Sequence, residues 1–252
     1  MAKVPKKVVD RLGSGLRRFQ PILSSAKARD VNEADTVTIV TDVLAELLGY
    51  DKYSEITSEL QIRGTYCDLA IRIENKIKFI VEVKAIGLDL KDTHTKQAVD
   101  YGANQGCEWV ALTNGVNWKV FHIAFTRPIK QQLVFELDLL TLNPRLAESA
   151  EALYPITREG LLKAALSDYH SQRQAMNRYS LSALLLGDSI LKVLRRELKR
   201  LAPGIKIQTD DIKSVLMHEV LKREVVDGEQ ATEAMKKVRR ANRKQLRTKR
   251  KG

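Results

Sequence analysis

The stretch Cys67-Asp68-Leu69-Ala70-Ile71-Arg72-Ile73-Glu74-Asn75-Lys76-Ile77-Lys78-Phe79-Ile80-Val81-Glu82-Val83-Lys84-Ala85 decides the fold of this chain. Two mostly apolar runs, 67–73 and 77–85, flank the polar triplet Glu74, Asn75 and Lys76, which is hairpin spacing. The second run is apolar on both faces for most of its length, the pattern of a central strand. On a strand, residues i and i+2 share a face, so Glu82 and Lys84 project together on the side of Ile80. Charged groups at the end of a buried strand are costly unless paired or bound to a metal. A hairpin turning near Asn75 pairs residues whose numbers sum to about 150, which sets Asp68 opposite Glu82.

Two facing carboxylates repel, and a divalent cation between them removes the conflict. With the carbonyl of Val83 they form a hard oxygen site. Asp68, Glu82 and Val83 are therefore expected to hold Mg²⁺, with Mn²⁺ able to substitute. Lys84 would orient or activate an attacking water. The plainer alternative is a Glu82–Lys84 or Asp68–Lys84 ion pair without metal, which accounts for Lys84 but not for two acids face to face. The E-x-K spacing alone carries little, since roughly one is expected by chance in a chain of this size. Glu74-Asn75-Lys76 and Glu197-Leu198-Lys199 have the same spacing, in a turn and on a charged helix face.

Outward from the hairpin, residues 31–49 read as a helix with the stripe Val37, Val40, Leu44, Leu47 and Leu48, ended by Gly49. Asp30 and Glu33 have the spacing of a capping box. Glu33 therefore has two readings: a helix cap, or a metal-ligating carboxylate that extends the stripe towards the sheet's active edge. Residues 92–105 read as a helix with Gln97 and Tyr101 on one face, where Gln97 could hydrogen-bond a water, a metal ligand or a nucleic-acid backbone. Strands are expected over 54–62, 109–113, 117–123 and 133–140, with Asn114-Gly115 as a hairpin turn. The fold class is α/β. A domain over 31–145 follows a basic segment, 1–30, that holds a short amphipathic helix weakened by Gly13, Ser14, Gly15 and Pro21. A helical region is expected over 146–226, with helices at 161–166, 181–201 and 212–225, and a last helix with a basic arm over 227–252.

Of the 252 residues, 44% are hydrophobic and 29% charged, enough to bury a core. No run of about 18 apolar residues occurs and no apolar leader follows the N-terminus, so neither a membrane span nor a secretory signal is expected. Cys67 and Cys107 make no disulfide framework or zinc spacing, and a cytoplasmic location fits. The net charge is +12, and ten bases with no acid lie in 236–252. Among them Lys236, Lys237, Arg239, Arg240, Arg243, Lys244 and Arg247 are the candidates for gripping a phosphate backbone.

Several segments together resemble the PD-(D/E)xK nuclease superfamily, and more narrowly the N-terminal nuclease domain of type I restriction enzyme R subunits and their stand-alone relatives. They are Asn32-Glu33-Ala34-Asp35-Thr36, Leu48-Gly49-Tyr50-Asp51, Cys67-Asp68-Leu69-Ala70-Ile71, Ile80-Val81-Glu82-Val83-Lys84-Ala85, Gln97-Ala98-Val99-Asp100-Tyr101-Gly102, and Leu112-Thr113-Asn114-Gly115 with Trp118. The resemblance implies a restriction-endonuclease-like core, a central mixed sheet flanked by helices, and Mg²⁺-dependent hydrolysis of DNA phosphodiester bonds in restriction, defence or repair. It implies metal binding by Asp68 and Glu82, help to the water from Lys84, and completion of the site by Glu33 and Gln97. Cys67 stands where the motif has its proline. The sequence has no Gly-Lys dipeptide and hence no P-loop, so no helicase motor is expected within it. The helical region would then serve DNA grip, homodimerisation or docking to other defence or repair subunits. The competing expectation is a non-catalytic nucleic-acid-binding or docking subunit with a nuclease-like fold.

Overall fold

A computed structural model describes residues 3–62 and 65–248, leaving aside the side chains of 61, 62, 65 and 244–248. The chain divides into two compact units, one ending at Tyr169 and the other starting at His170.

The first unit is built on a six-stranded sheet in sequential order: β1 (Ile56–Ile62), β2 (Thr65–Ile73), β3 (Lys76–Val83), β4 (Trp109–Thr113), β5 (Asn117–Ala124) and β6 (Lys130–Asp138). All neighbours are antiparallel except β3 and β4, which are parallel. A parallel pair needs a long crossover, and α3 (Asp92–Gln105) supplies it. Alternation along β3 splits its residues between two cores. Phe79, Val81 and Val83 join a large cluster with α1 (Lys6–Ala28) and α2 (Glu33–Asp42), while Ile80 joins a smaller one with Val99 and Tyr101 of α3. This is the expected mixed sheet between helices. Trp109 and Trp118 lie in the core, 8% and 0% exposed.

The N-terminal segment departs from its reading as a short helix beside the domain. Helix α1 runs 23 residues through Gly13, Gly15 and Pro21, and its buried face (Val8, Leu12, Leu16, Phe19, Leu23) is part of the large core. Its glycines serve close approach rather than breakage. A Cβ on Gly15 would lie 2.6 Å from Leu47 Cδ1, in the π-helical turn Val43–Leu47 that follows α2. One on Gly13 would lie 2.8 Å from the Pro144 carbonyl oxygen.

The expected boundary at 145/146 falls inside the first unit as well. Leu153, Tyr154, Ile156 and Leu166, from α4 (Ala147–Leu153) to α6 (Ala165–Ala175), complete the same core. Tyr50 donates to the Ile156 carbonyl at 2.7 Å, and Arg11 grips both carboxylate oxygens of Glu159, in α5 (Arg158–Leu162), at 2.7 Å.

The second unit is helical: α7 (Arg178–Leu185), α8 (Asp188–Leu201), α9 (Thr209–Val215), α10 (Arg223–Val226) and α11 (Glu229–Thr248). The single helix expected over 181–201 is two, because Gly187 adopts an extended conformation (φ −79°, ψ 142°) that caps α8. The helix expected over 212–225 is α9, a π-helical turn Leu216–Val220, and α10. Among the described residues no helix is long and apolar enough to cross a membrane.

Candidate active site

Asp68 and Glu82 come together through a turn and a bulge. Glu74 and Asn75 form a two-residue turn with φ of 52° and 61°, so Ile73 pairs Lys76 and Arg72 pairs Ile77. Those numbers sum to 149, a register that would set Asp68 opposite Val81. A bulge then absorbs Lys78: Ile71 pairs Phe79 and Leu69 pairs Val81, and the sum becomes 150. Asp68 thus falls opposite Glu82, as expected, but by a tighter turn plus a bulge rather than by a wider turn.

The ladder gives way at Asp68 itself. Its carboxylate Oδ2 accepts the Val83 main-chain N–H at 2.7 Å, a bond the sheet would otherwise make through a carbonyl. On the other side, Glu59 lies opposite Asp68 in the β1–β2 register and has φ of 50°, so pairing lapses there too.

Glu82 is 1% exposed. Its Oε1 accepts from Lys84 Nζ at 2.8 Å, while Oε2 is buried without a hydrogen-bond partner. Burial, then the charge of Asp68, pushes the Glu82 carboxyl up to about 7. Burial raises the Asp68 carboxyl too, against the pull of the Val83 N–H. For Lys84, burial works against the charged form, but the Glu82 hydrogen bond and the charges of Glu82, Glu33 and Asp68 outweigh it and leave the ammonium raised. One lysine thus faces three acids, and two of those acids destabilise each other.

The capping-box reading of Glu33 does not hold. Asn32 is the cap of α2, accepting the Asp35 N–H at 2.9 Å, and Asp30 lies outside the helix with φ of 50°. Asn32 prevails because its side chain reaches the N3 amide directly. Glu33 is left free of capping, and its Oε1 sits 3.8 Å from Lys84 Nζ, with the side chain 47% exposed. Gln97 lies on the exposed side of α3 and bonds Tyr101 Oη at 3.3 Å; none of its described hydrogen bonds joins it to Asp68, Glu82 or Lys84. Cys67 packs with Ala70 and Ile80 on the α3 side. Burial, then the Glu82 charge, holds its thiol at about 12, so it is an inert core group. Pairing with β3 stops at Leu69, while Cys67 still pairs Leu60 of β1.

Sequence reading passed over two supporting residues. Thr36, fully buried on α2, accepts the Ile86 N–H at 3.1 Å and ties the helix to the segment leaving Lys84. Asn114 accepts the N–H groups of Val116 and Asn117 and donates to the Leu88 carbonyl at 2.9 Å. The signal for Thr36 was there, three residues after Glu33 on the same helix face. Asn114 had been credited only with a turn.

Among the described residues no three His, Cys, Asp or Glu side chains converge as a metal cluster. Asp68 and Glu82 still fit a hard divalent cation. Glu82 Oε2 is an orphaned buried oxygen, both carboxyls are held above their usual range, and Mg²⁺ is commonly held by one or two carboxylates plus waters. In the second unit Lys236, Lys237, Arg239, Arg240 and Arg243 lie exposed along α11. The side chains of Lys244 and Arg247 are outside the described residues.

Residues 39–135 match the family model of the type I restriction enzyme R protein N terminus. The matched stretch runs from α2 into β6 and takes in most of the sheet, so this part of the chain is similar to that N-terminal domain. Asp68, Glu82, Lys84 and Gln97 lie inside the match; Glu33 and the basic residues of α11 lie outside it. No curated protein and no solved structure gives a significant match to the chain.

Proposed function

We propose that the domain spanned by this match is a Mg²⁺-dependent DNA endonuclease, with Asp68, Glu82 and Lys84 at its centre and DNA as its partner. The observation that carries the reading is the partnerless Glu82 Oε2, buried opposite Asp68. In this reading Asp68, Glu82 Oε2 and the Val83 carbonyl offer their oxygens to the ion, and Mn²⁺ substitutes. When bound, such an ion would neutralise charge on the scissile phosphate and would lower the pKa of a bound water. Lys84, fixed by Glu82 Oε1 and kept protonated, orients the attacking water and balances charge as the phosphorus gains its fifth oxygen. Glu33, free of capping and near Lys84, steadies that ammonium from the open side. Gln97 contributes from α3 once DNA is bound, by exchanging its Tyr101 partner for a water or a phosphate oxygen.

The test is supercoiled plasmid incubated with the pure protein and Mg²⁺ or Mn²⁺. Nicked or linear product is expected, abolished by EDTA and by Glu82→Ala. A Glu82→Ala protein that nicks as well as wild type sinks the proposal. The second reading, a non-catalytic nucleic-acid-binding or docking subunit, draws on the charge of the second unit. It requires that wild type bind DNA and leave it intact with either metal.

A further inference from the structure

The entire excess of positive charge belongs to the second unit. Residues 170–252 carry 21 basic and 9 acidic residues, a net +12 equal to that of the whole chain. The first unit holds 22 of each and is neutral. Sequence reading placed the excess in residues 236–252, but a second concentration precedes them. Helix α8 carries Lys192, Arg195, Arg196, Lys199 and Arg200. At 100° per residue these five fall within about 140° of arc, opposite Ile190, Leu194, Leu198 and Leu201. On α11 the cations Lys236, Lys237, Arg239, Arg240 and Arg243 likewise share one side, with Ala231, Ala234 and Val238 on the other.

Few of these cations are neutralised. Arg196 and Arg200 share one acid, Glu197, and are 73% and 78% exposed. Lys192 and Lys199 are exposed and, among the described residues, form no ion pair, and the same holds for the five on α11. Arg195 alone has a structural bond, to the Ile207 carbonyl at 2.8 Å. The start of α8 comes close to α11. Asp188 is on the cationic face of α8, at i−4, i−7 and i−11 from Lys192, Arg195 and Lys199, and it lines the same hollow as Arg239 and Asn242 of α11. The first turn of α8, at the end of its basic face, thus approaches α11.

We propose that the cationic face of α8 is a nucleic-acid-backbone grip that works together with α11. From Lys192 to Arg200 the helix rises about 12 Å, a span over which duplex DNA presents roughly seven phosphate charges. The ligand is the phosphodiester backbone, read without sequence preference. The choice of nucleic acid over another polyanion rests on the nuclease reading of the first unit. The grip itself does not require that cleavage occur.

The experiment measures affinity of the full chain for a 30-base-pair duplex DNA, in EDTA, across a salt series. The duplex stays intact, so a failure of the cleavage proposal leaves this test standing. The K192Q/R196Q/K199Q variant spares Arg195 and places good helix formers on the surface. Loss of three phosphate contacts makes the slope of log Kobs against log salt shallower by roughly 2–3, with binding at 50 mM salt at least ~10-fold weaker. A control with the same loss of charge in the first unit, K6Q/K7Q/K27Q, keeps the wild-type slope. Circular dichroism checks that the α8 variant is folded; should it unfold, the single variants K192Q and K199Q, each expected to lower the slope by about 1, replace it. A duplex RNA of the same length tells DNA from RNA as the source of the backbone. An unchanged slope in a folded α8 variant overturns the proposal, as does an equal fall in the control. Loss of binding to phosphatidylserine vesicles with DNA binding intact also overturns it, assigning the amphipathic helix to a membrane surface.

Discussion

Glu82-Val83-Lys84 and Glu197-Leu198-Lys199 share a spacing and nothing else. On β3, residues two apart point the same way, and Lys84 Nζ meets Glu82 Oε1 at 2.8 Å in a pocket where Glu82 is 1% exposed. On α8, residues two apart diverge by about 200°, so Glu197 pairs with Arg196 and Arg200 in solvent and not with Lys199. The third copy, Glu74-Asn75-Lys76, begins in the turn and carries no site. The same three-residue pattern thus makes a buried, mutually strained carboxylate in one place and a screened surface cluster in another. Backbone period and burial supply the chemistry; the letters do not.

The comparison breaks most readily at Glu82. Glu82→Gln is expected to lower the metal-dependent nicking rate by at least ~100-fold, while Glu197→Gln leaves it within twofold. Steady-state nicking of plasmid reads both; equal losses would show that position on the sheet is irrelevant. The next largest effect concerns the frame that holds β3. Gly15→Ala puts a methyl group 2.6 Å from Leu47 Cδ1 and 3.2 Å from its Cα, and is expected to destabilise the protein by about 1–2 kcal/mol despite the better helix propensity of alanine. A denaturant midpoint at or above wild type would show that α1 is not packed as described.

A third prediction uses the raised carboxyl. The Glu82 carboxyl titrates at about 7 in the folded protein against an ordinary 4.5, so the folded state holds that proton more tightly. Its contribution to stability is present below pH ~4.5 and lost as pH rises through 7. Metal-free protein should therefore lose melting temperature between pH 5 and 7.5, Mg²⁺ should restore it at pH 7.5, and Glu82→Gln should flatten the dependence. A wild-type profile indistinguishable from that of Glu82→Gln would contradict it. The smallest effect lies at the third copy. Glu74 occupies a left-handed conformation with φ of 52°, so Glu74→Gly should stabilise by about 0.5 kcal/mol and leave nicking unchanged. Weakened nicking there would mean that the turn acts on the site.

Much of this was legible in the sequence, for reasons that differ by element. The hairpin, the central strand and the α3 crossover follow from apolar periodicity, which survives folding because one register buries both cores. The Asp68–Glu82 opposition was right in outcome, though the sequence gives no sign of the bulge at Lys78 that creates it. Glu33 stayed open because Asp30 and Asn32 both look like caps, and only the backbone at Asp30 excludes the first. The length of α1 was hidden because glycines signal a break unless the partner they let in, Leu47, is known. The second unit was least legible. Its charge drew attention to 236–252, and the equally one-sided α8 was read as a plain helix because its cations are interleaved with leucines.

The most direct test of the central claim is Mn²⁺ soaked into crystals of the protein, with anomalous difference density measured in wild type and in Glu82→Gln. One peak within coordination distance of Asp68 and Glu82 Oε2 is expected in wild type, absent from the variant. No peak in wild type, with Lys84 still bonded to Glu82 and Oε2 turned to another protein partner, would contradict it and leave the pair as an ordinary buried ion pair.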